Sequence, residues 1–143
     1  MILYCDTSAL IKRYVEEDGT ESVDRLWDSA LAIVTSTVAF AEAVSAFSRK
    51  FREGILTHKE YLVTVKNFKK DYNHLILVPI NNDLNALIED LAARHPLTGF
   101  DAIHLASAIT FTQSENVEMV FACFDDTLNQ SALKEGLRIS FHY

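Results

Sequence analysis

Ile2-Leu3-Tyr4-Cys5-Asp6-Thr7-Ser8-Ala9-Leu10 is the stretch on which the reading of this chain turns. Ile2 to Cys5 is a short apolar run, too brief for a helix and bounded at once by polar residues, so it reads as a buried strand. Asp6, Thr7 and Ser8 all carry side-chain oxygens of the kind that accept hydrogen bonds from the free N–H groups at a helix start. A strand therefore gives way to a helix here, with a carboxylate at the junction. The pattern recurs near the other end, where the apolar run Met119 to Phe124 meets Asp125-Asp126 and a second helical stretch.

Between these two junctions the pattern keeps alternating. Strands are expected at 2–6, 31–35, 75–80, 119–124 and 138–142. Helices are expected at 8–16, 20–29, 38–53 (stopped by Gly54), 58–72, 83–94, 99–112 and 127–135. Thr57-His58-Lys59-Glu60 opens the fourth helix with a capping-box spacing. Pro79 places its strand near an edge or at its end, and Pro96 disfavours helical geometry at His95, which separates two helices. Short apolar strands alternating with amphipathic helices imply α/β architecture, a mainly parallel five-stranded sheet covered on both faces in three α/β/α layers. Residues 1–143 are expected to form one domain. Such sheets carry their sites beyond the carboxyl ends of the strands, where Asp6 and Asp125 stand.

Composition narrows the class. The chain has 143 residues, of which 49% are hydrophobic and 23% charged, which excludes a disordered segment. No apolar run approaches the roughly 20 residues that cross a bilayer, so no membrane partner is expected, and no cationic region precedes Ile2 as a signal peptide would require. Cys5 and Cys123 fall in core strands at a spacing that fits no zinc or disulfide framework, so buried thiols in a reducing cytoplasm are expected. The formal net charge of −7 argues against broad nonspecific nucleic-acid binding. It leaves room for a nuclease, because some of the acids belong to the candidate site. Lys12 with Arg13, Arg49 with Lys50 and Arg52, and Lys66 with Lys69 and Lys70 form local basic clusters that serve as phosphate contacts or as solvated helix faces.

Four acids stand out: Asp6, Glu42, Asp101 and Asp125. Asp6 and Asp125 each have a capping role open to them, and Asp126 is either a supporting acid or a first-turn residue favoured by the helix dipole. Asp101 completes Thr98-Gly99-Phe100-Asp101, again a capping-box spacing, and His104 one turn later is placed to orient a carboxylate. Glu42 is the acid without a bland account. Its neighbours one helical turn away are Val38, Ala39, Ser45 and Ala46, none of them basic, and an unpaired buried carboxylate costs several kcal/mol. Clustered carboxylates persist only when a divalent cation or protons neutralise them.

These residues resemble the PIN-domain ribonucleases, and among them the VapC-type toxins of toxin–antitoxin pairs, over essentially the whole chain. Tyr4-Cys5-Asp6-Thr7-Ser8-Ala9-Leu10 is similar to the family's opening motif, and Ser36 to Glu42 with Ala43-Val44-Ser45-Ala46 to its second acidic motif. Phe100-Asp101-Ala102-Ile103-His104-Leu105-Ala106 is the most specific match. Phe124-Asp125-Asp126-Thr127-Leu128 resembles the closing motif, although the Ser or Thr often found two residues before its aspartate is here Cys123. The resemblance implies a PIN-like fold in which Asp6, Glu42, Asp101 and Asp125 converge and bind Mg²⁺ or Mn²⁺. Asp6 and Asp101 would be principal ligands, with Glu42 and Asp125 acting through water or a second ion, and Ser8, His104 and Asp126 supporting. It further implies cleavage of RNA, tRNA or rRNA in several members, a homodimer, and a cognate VapB-type antitoxin whose basic segment suits an acidic toxin.

The reaction expected is hydrolysis of an RNA phosphodiester without a Cys, Ser or His nucleophile. Aspartyl phosphotransfer is a poor match, since Ser8 stands where a second aspartate belongs and Cys5-Asp6 does not supply a receiver-type acidic pair. A PIN nuclease of RNA maturation would keep the same four acids. A noncatalytic PIN-like module that binds RNA or protein typically loses at least one of them, and none is missing here.

Overall fold

Strand β1 (Ile2–Cys5) occupies the middle of the sheet, and its alternation builds both halves of the core. Leu3 and Cys5 point to one face, where they pack with Ala9, Leu10, Phe47 and Phe68. Tyr4 points to the other, among Leu84, Leu91, Leu105 and Leu128. This period of two is the side-chain geometry of any strand. The computed structural model describes residues 1–141. After β1 come α1 (Thr7–Lys12), α2 (Thr20–Ser29), β2 (Ala32–Ser36), α3 (Ala39–Arg52), α4 (His58–Tyr72) and β3 (Ile76–Val78). They are followed by α5 (Asn82–Arg94), α6 (Gly99–Glu115), β4 (Met119–Ala122), α7 (Asp126–Lys134) and β5 (Arg138–Ile139).

The five strands lie in the order β3-β2-β1-β4-β5, and every pairing is parallel. The chain builds outward from β1 in one direction through β2 and β3, then returns to β1's other side for β4 and β5. That reversal makes the β1/β4 boundary a topological switch point, where loops diverge and leave a crevice at the carboxyl ends. The register pairs Cys5 with Ala122, so Asp6 is the first residue past the end of the ladder, and its N–H donates to the Ala122 carbonyl at 3.1 Å.

The three-layer α/β/α arrangement expected from the sequence is present, and the differences lie at element ends. Helix α1 stops at Lys12, short of the expected residue 16, because the chain turns inward to bury Val15 at 4% exposure. The turn is fixed by Thr20, whose hydroxyl donates to the Val15 carbonyl at 3.2 Å and accepts the Glu17 N–H at 3.0 Å. Strand β4 ends at Ala122, two residues early, since the Phe124 and Asp125 N–H groups are taken by side chains instead of a neighbouring strand. Helix α6 runs three residues past its expected end and closes at Asn116 in the left-handed conformation (φ 51°). The final strand is confined to Arg138–Ile139, and residue 142 of its expected span lies outside the described residues. His95 leaves helical geometry before Pro96, as expected, and the edge strand β3 ends immediately before Pro79.

One glycine is dictated by packing near the crevice. Gly19 sits at φ 96°, and a Cβ there would stand 2.7 Å from Cε1 of Phe124 and 3.0 Å from Cδ of Lys12. The backbone thus passes directly beneath the ring that precedes Asp125.

Candidate active site

At the β1 end, Asp6 caps α1 with one oxygen. Oδ1 accepts the Ala9 N–H at 3.0 Å and the Ser8 hydroxyl at 2.7 Å. Ser8 in turn accepts the Phe124 N–H at 3.1 Å, so a single hydroxyl ties the ends of β1 and β4 together. Asp125 is built the same way: Oδ1 accepts the Leu128 N–H at 2.8 Å and caps α7. Capping and ligation are therefore not competing roles, because a carboxylate has two oxygens and the cap engages Oδ1 in each case. Cys123 fills the place of the family hydroxyl. Its sulfur accepts the Asp125 N–H at 3.2 Å, and the Asn129 amide holds the Cys123 carbonyl at 2.9 Å. Burial and the nearby Asp6 charge push the Cys123 thiol far up, so it stays protonated.

Glu42, on α3, finds its partners far away in sequence. Oε1 accepts the Thr7 hydroxyl at 2.7 Å and faces Nε2 of His104 at 2.8 Å. On the opposite side of the imidazole, Nδ1 meets the Tyr4 hydroxyl at 2.8 Å. Burial drives the Tyr4 pKa well upward, so its O–H is present to donate. Because a carboxylate only accepts, Nε2 carries a proton and donates to Glu42, and the Tyr4 hydroxyl is the partner of Nδ1 on the other side of the ring. Burial raises the Glu42 pKa, but the bonds from His104 and Thr7 outweigh it, and the carboxyl titrates below its ordinary range. This chain supplies the compensation that Glu42's own helix lacks.

Asp101 lies in the first turn of α6, partly buried. Thr98 caps its N–H at 3.3 Å, but the box is only half made. At α4 Glu60 returns a bond to the Thr57 N–H at 2.9 Å, and among the described residues Asp101 makes no such bond to Thr98. Its pKa is raised, first by burial and then by the charges of Asp125 and Asp6, with the Thr98 hydrogen bond and His104 acting in the other direction. The charges of Asp6 and Asp125, carried at the starts of two other helices, therefore reach Asp101. Burial of the four acids is graded, from Asp6 on the floor (5% exposed) through Glu42 and Asp101 to Asp125 on the exposed rim. Asp126 is exposed at the first position of α7 and makes no side-chain hydrogen bond among the described residues. A first-turn residue favoured by the helix dipole is the role this placement gives it.

Among the described residues, no group of three or more His, Cys, Asp or Glu side chains is arranged to hold a metal ion. The described acids do not form a closed cage. Tyr4 and Thr7 enter the site as residues the sequence reading did not single out for it. Tyr4 carried a usable signal: a tyrosine inside a buried strand needs a partner for its hydroxyl. Thr7 carried none beyond its capping potential.

Comparison with known proteins decides the family, since residues 3–130 match the PIN domain. The chain belongs to the PIN domain family. Ribonuclease VapC45 and Ribonuclease VapC49, from two strains of Mycobacterium tuberculosis, are each 29% identical to this PIN domain, covering 97% of it and 94% of their own length. Solved structures share the fold. FitAcB from Neisseria gonorrhoeae superposes with a TM-score of 0.70 at 15% identity, over 99% of this chain and 97% of that one. VapC20 of M. tuberculosis, described as a toxin that cleaves the sarcin-ricin loop, gives 0.65 at 14% identity over 90% and 94%. VapBC2 from Rickettsia felis, bound to a promoter DNA fragment, gives 0.65 at 13% identity over 98% of both chains. The resemblance to VapC-type PIN proteins read from the four acidic motifs is borne out.

Proposed function

We propose that this PIN domain is a divalent-cation-dependent endoribonuclease and the toxin of a VapBC-type pair. The observation that carries the reading is the placement of the acids: Asp6 and Asp125 each cap a helix through Oδ1 at the β1/β4 switch point, Glu42 is held by Thr7 and His104, and Asp101 lies close enough for the Asp125 and Asp6 charges to join burial in raising its pKa. The donor set fits Mg²⁺ or Mn²⁺. It consists of hard carboxylate oxygens, and Mg²⁺ keeps several waters and takes one or two carboxylates plus substrate phosphate in place of an all-protein cage. Acids that form no closed cage suit that habit. When bound, the cation supplies an acidified water and charge neutralisation at the phosphate.

The residues themselves do the positioning. Asp6 and Asp101 are the principal ligands proposed, the first held rigid by Ser8 and the Ala9 N–H. Glu42, fixed by Thr7 and His104, orients a water, and Asp125 on the rim meets a second ion or its water. The relatives named as ribonucleases support RNA as substrate. The FitAB and VapBC2 structures support a partner antitoxin. A basic antitoxin segment complements a chain of net charge −7, and a homodimer is part of the same proposal.

Purified protein titrated with Mn²⁺ tests the core of it. At a hundred times Kd the cation should stabilise the fold by about 2.7 kcal/mol. EDTA should reverse the shift, and Asp6→Asn and Asp101→Asn should lose both the shift and RNA cleavage while staying folded. Full cleavage by purified Asp101→Asn would overturn the assignment. An antitoxin-like reading frame beside the gene, whose product blocks cleavage, separates a toxin from a nuclease of RNA maturation.

A further inference from the structure

Beside the acids lies a cleft of about 360 Å³ lined by Val38, Ala41, Glu42, Ser45, Arg49 and Phe100. We infer that it is a subsite for one unpaired nucleobase of the RNA strand, stacked on Phe100 with a flanking phosphate on Arg49. The inference rests on the ribonuclease reading above and extends it to residues outside the acidic cluster.

Three observations support it. Phe100 is 55% exposed although it directly precedes Asp101. It takes no part in the ring–ring contacts that order Phe40, Phe47, Phe68, Phe121 and Phe124. A large exposed ring at the lip of a cleft that also holds a carboxylate and a guanidinium is a platform on which single-stranded bases stack.

Arg49 is the second. Within its own basic cluster, Lys50 is engaged with Glu17 at 3.0 Å, and Arg52, although exposed and without an ion pair among the described residues, does not line the cleft. Arg49 is exposed and has no ion pair among the described residues. In a chain of net charge −7, an unpaired guanidinium that lines the same cleft as a site carboxylate is placed for an anion supplied from outside.

Helical geometry gives the third. Glu42, Ser45 and Arg49 fall at positions i, i+3 and i+7 of α3 and so share one face. Seven residues rise about 10 Å along the axis, which puts Arg49 at a phosphate beyond the scissile one and leaves the chemistry to the acids. The hollow on the other side of Phe100 is lined by Ile80, Asn85, Ile88, Gly99 and Ile103 and holds no charge to recognise a phosphate.

The test uses a short single-stranded RNA containing 2-aminopurine, titrated into the full chain with EDTA present so that binding is read without cleavage. Phe100→Leu keeps an apolar side chain but removes the π face. It should weaken binding by roughly five- to a hundredfold and abolish the quenching that stacking produces, and Phe100→Trp should restore both. Arg49→Gln should weaken binding and lower the slope of log affinity against log salt by about one. Wild-type affinity and quenching in Phe100→Leu would overturn the subsite. A dimer that dissociates in Phe100→Leu, with RNA binding per protomer unchanged, would also overturn it and make the ring a contact between copies. The Mn²⁺-induced melting shift reports on the ribonuclease reading independently. RNA binding that depends on Phe100 in a protein with neither a Mn²⁺ response nor cleavage would sink that reading and leave the subsite standing.

Discussion

Replacing Tyr4 with Phe removes one oxygen and tests whether the Tyr4–His104–Glu42 chain is a working unit. The ring should stay in place, since it stacks on Phe121 at 5.4 Å with 14° between planes and meets the His104 ring edge-on at 5.9 Å. What is lost is the 2.8 Å bond to Nδ1, in a site where Tyr4 is fully buried and His104 is 2% exposed. An acceptor left unpaired there costs about 1–3 kcal/mol. Unfolding entropy near 2.1 cal/mol/K per residue gives roughly 0.3 kcal/mol/K for a chain of this length, so Tm should fall by about 3–10 °C. The chemical effect goes further. Without the tyrosine hydroxyl, Nδ1 is left unpaired and only the Glu42 carboxylate still selects the Nε2–H tautomer, so the ring is held less firmly against Glu42. The His104 bond that helps to hold the Glu42 pKa down then loosens, and cleavage should slow. Thermal melting, ¹⁵N shifts of the His104 ring and cleavage rates measure the three consequences. A double-mutant cycle with His104→Asn should show coupling of about 0.5–3 kcal/mol. A Tyr4→Phe protein that melts within about 1 °C of wild type, with the His104 ring shifts and the cleavage rate unchanged, would refute the reasoning.

Asp101→Asn should raise Tm at pH 7 without added cation while abolishing cleavage. The folded pKa of Asp101 lies above its unfolded value, so the fold is penalised once the group ionises, the penalty grows as pH rises through the folded pKa, and the two proteins should converge near pH 3. Glu135 behaves oppositely. Arg94 at 2.7 Å, and then His95 at 2.8 Å, outweigh burial and lower its pKa to about 2, so its contribution is present above the ordinary carboxylate value and lost as pH falls through about 2. Glu135→Gln should therefore cost on the order of 1 kcal/mol at pH 7, with Arg94 half exposed to screening solvent, and progressively less as pH falls through about 2 when monitored by urea melts. Gly19→Ala combines strain at φ 96° with a Cβ 2.7 Å from the Phe124 ring, whereas Gly136→Ala at φ 85° meets nothing within 4 Å. Both should lose about 1–3 kcal/mol to backbone strain. Only Gly19→Ala should also slow cleavage, because it displaces the residue before Asp125, and equal activities in the two variants would contradict this.

The sequence by itself determined what depends on near neighbours. Apolar runs flanked by polar caps located the strands and helices, with errors of a few residues at their ends. The Thr57–Glu60 box is present with both of its bonds, at 2.9 and 3.1 Å. Pro79 and His95-Pro96 ended their elements as expected. Asp6 and Asp125 were legible as junction acids because a strand that stops at a carboxylate is a local pattern. Where α1 ended was not legible, since burial of Val15 and the Thr20 bonds replace a helical turn that propensity alone favours. Only the tertiary structure decided what compensates Glu42. Thr7 lies 35 residues away and His104 62, while His104 reaches across 97 residues to Thr7 and 100 to Tyr4. Those meetings follow from the strand order β3-β2-β1-β4-β5, which brings β1 beside β4 and sets α3 and α6 at its end. Hydrophobic periodicity fixes which way a side chain points, within a turn or a pleat. It carries no information about which distant element will stand opposite, and the charge on Glu42 is settled by that element.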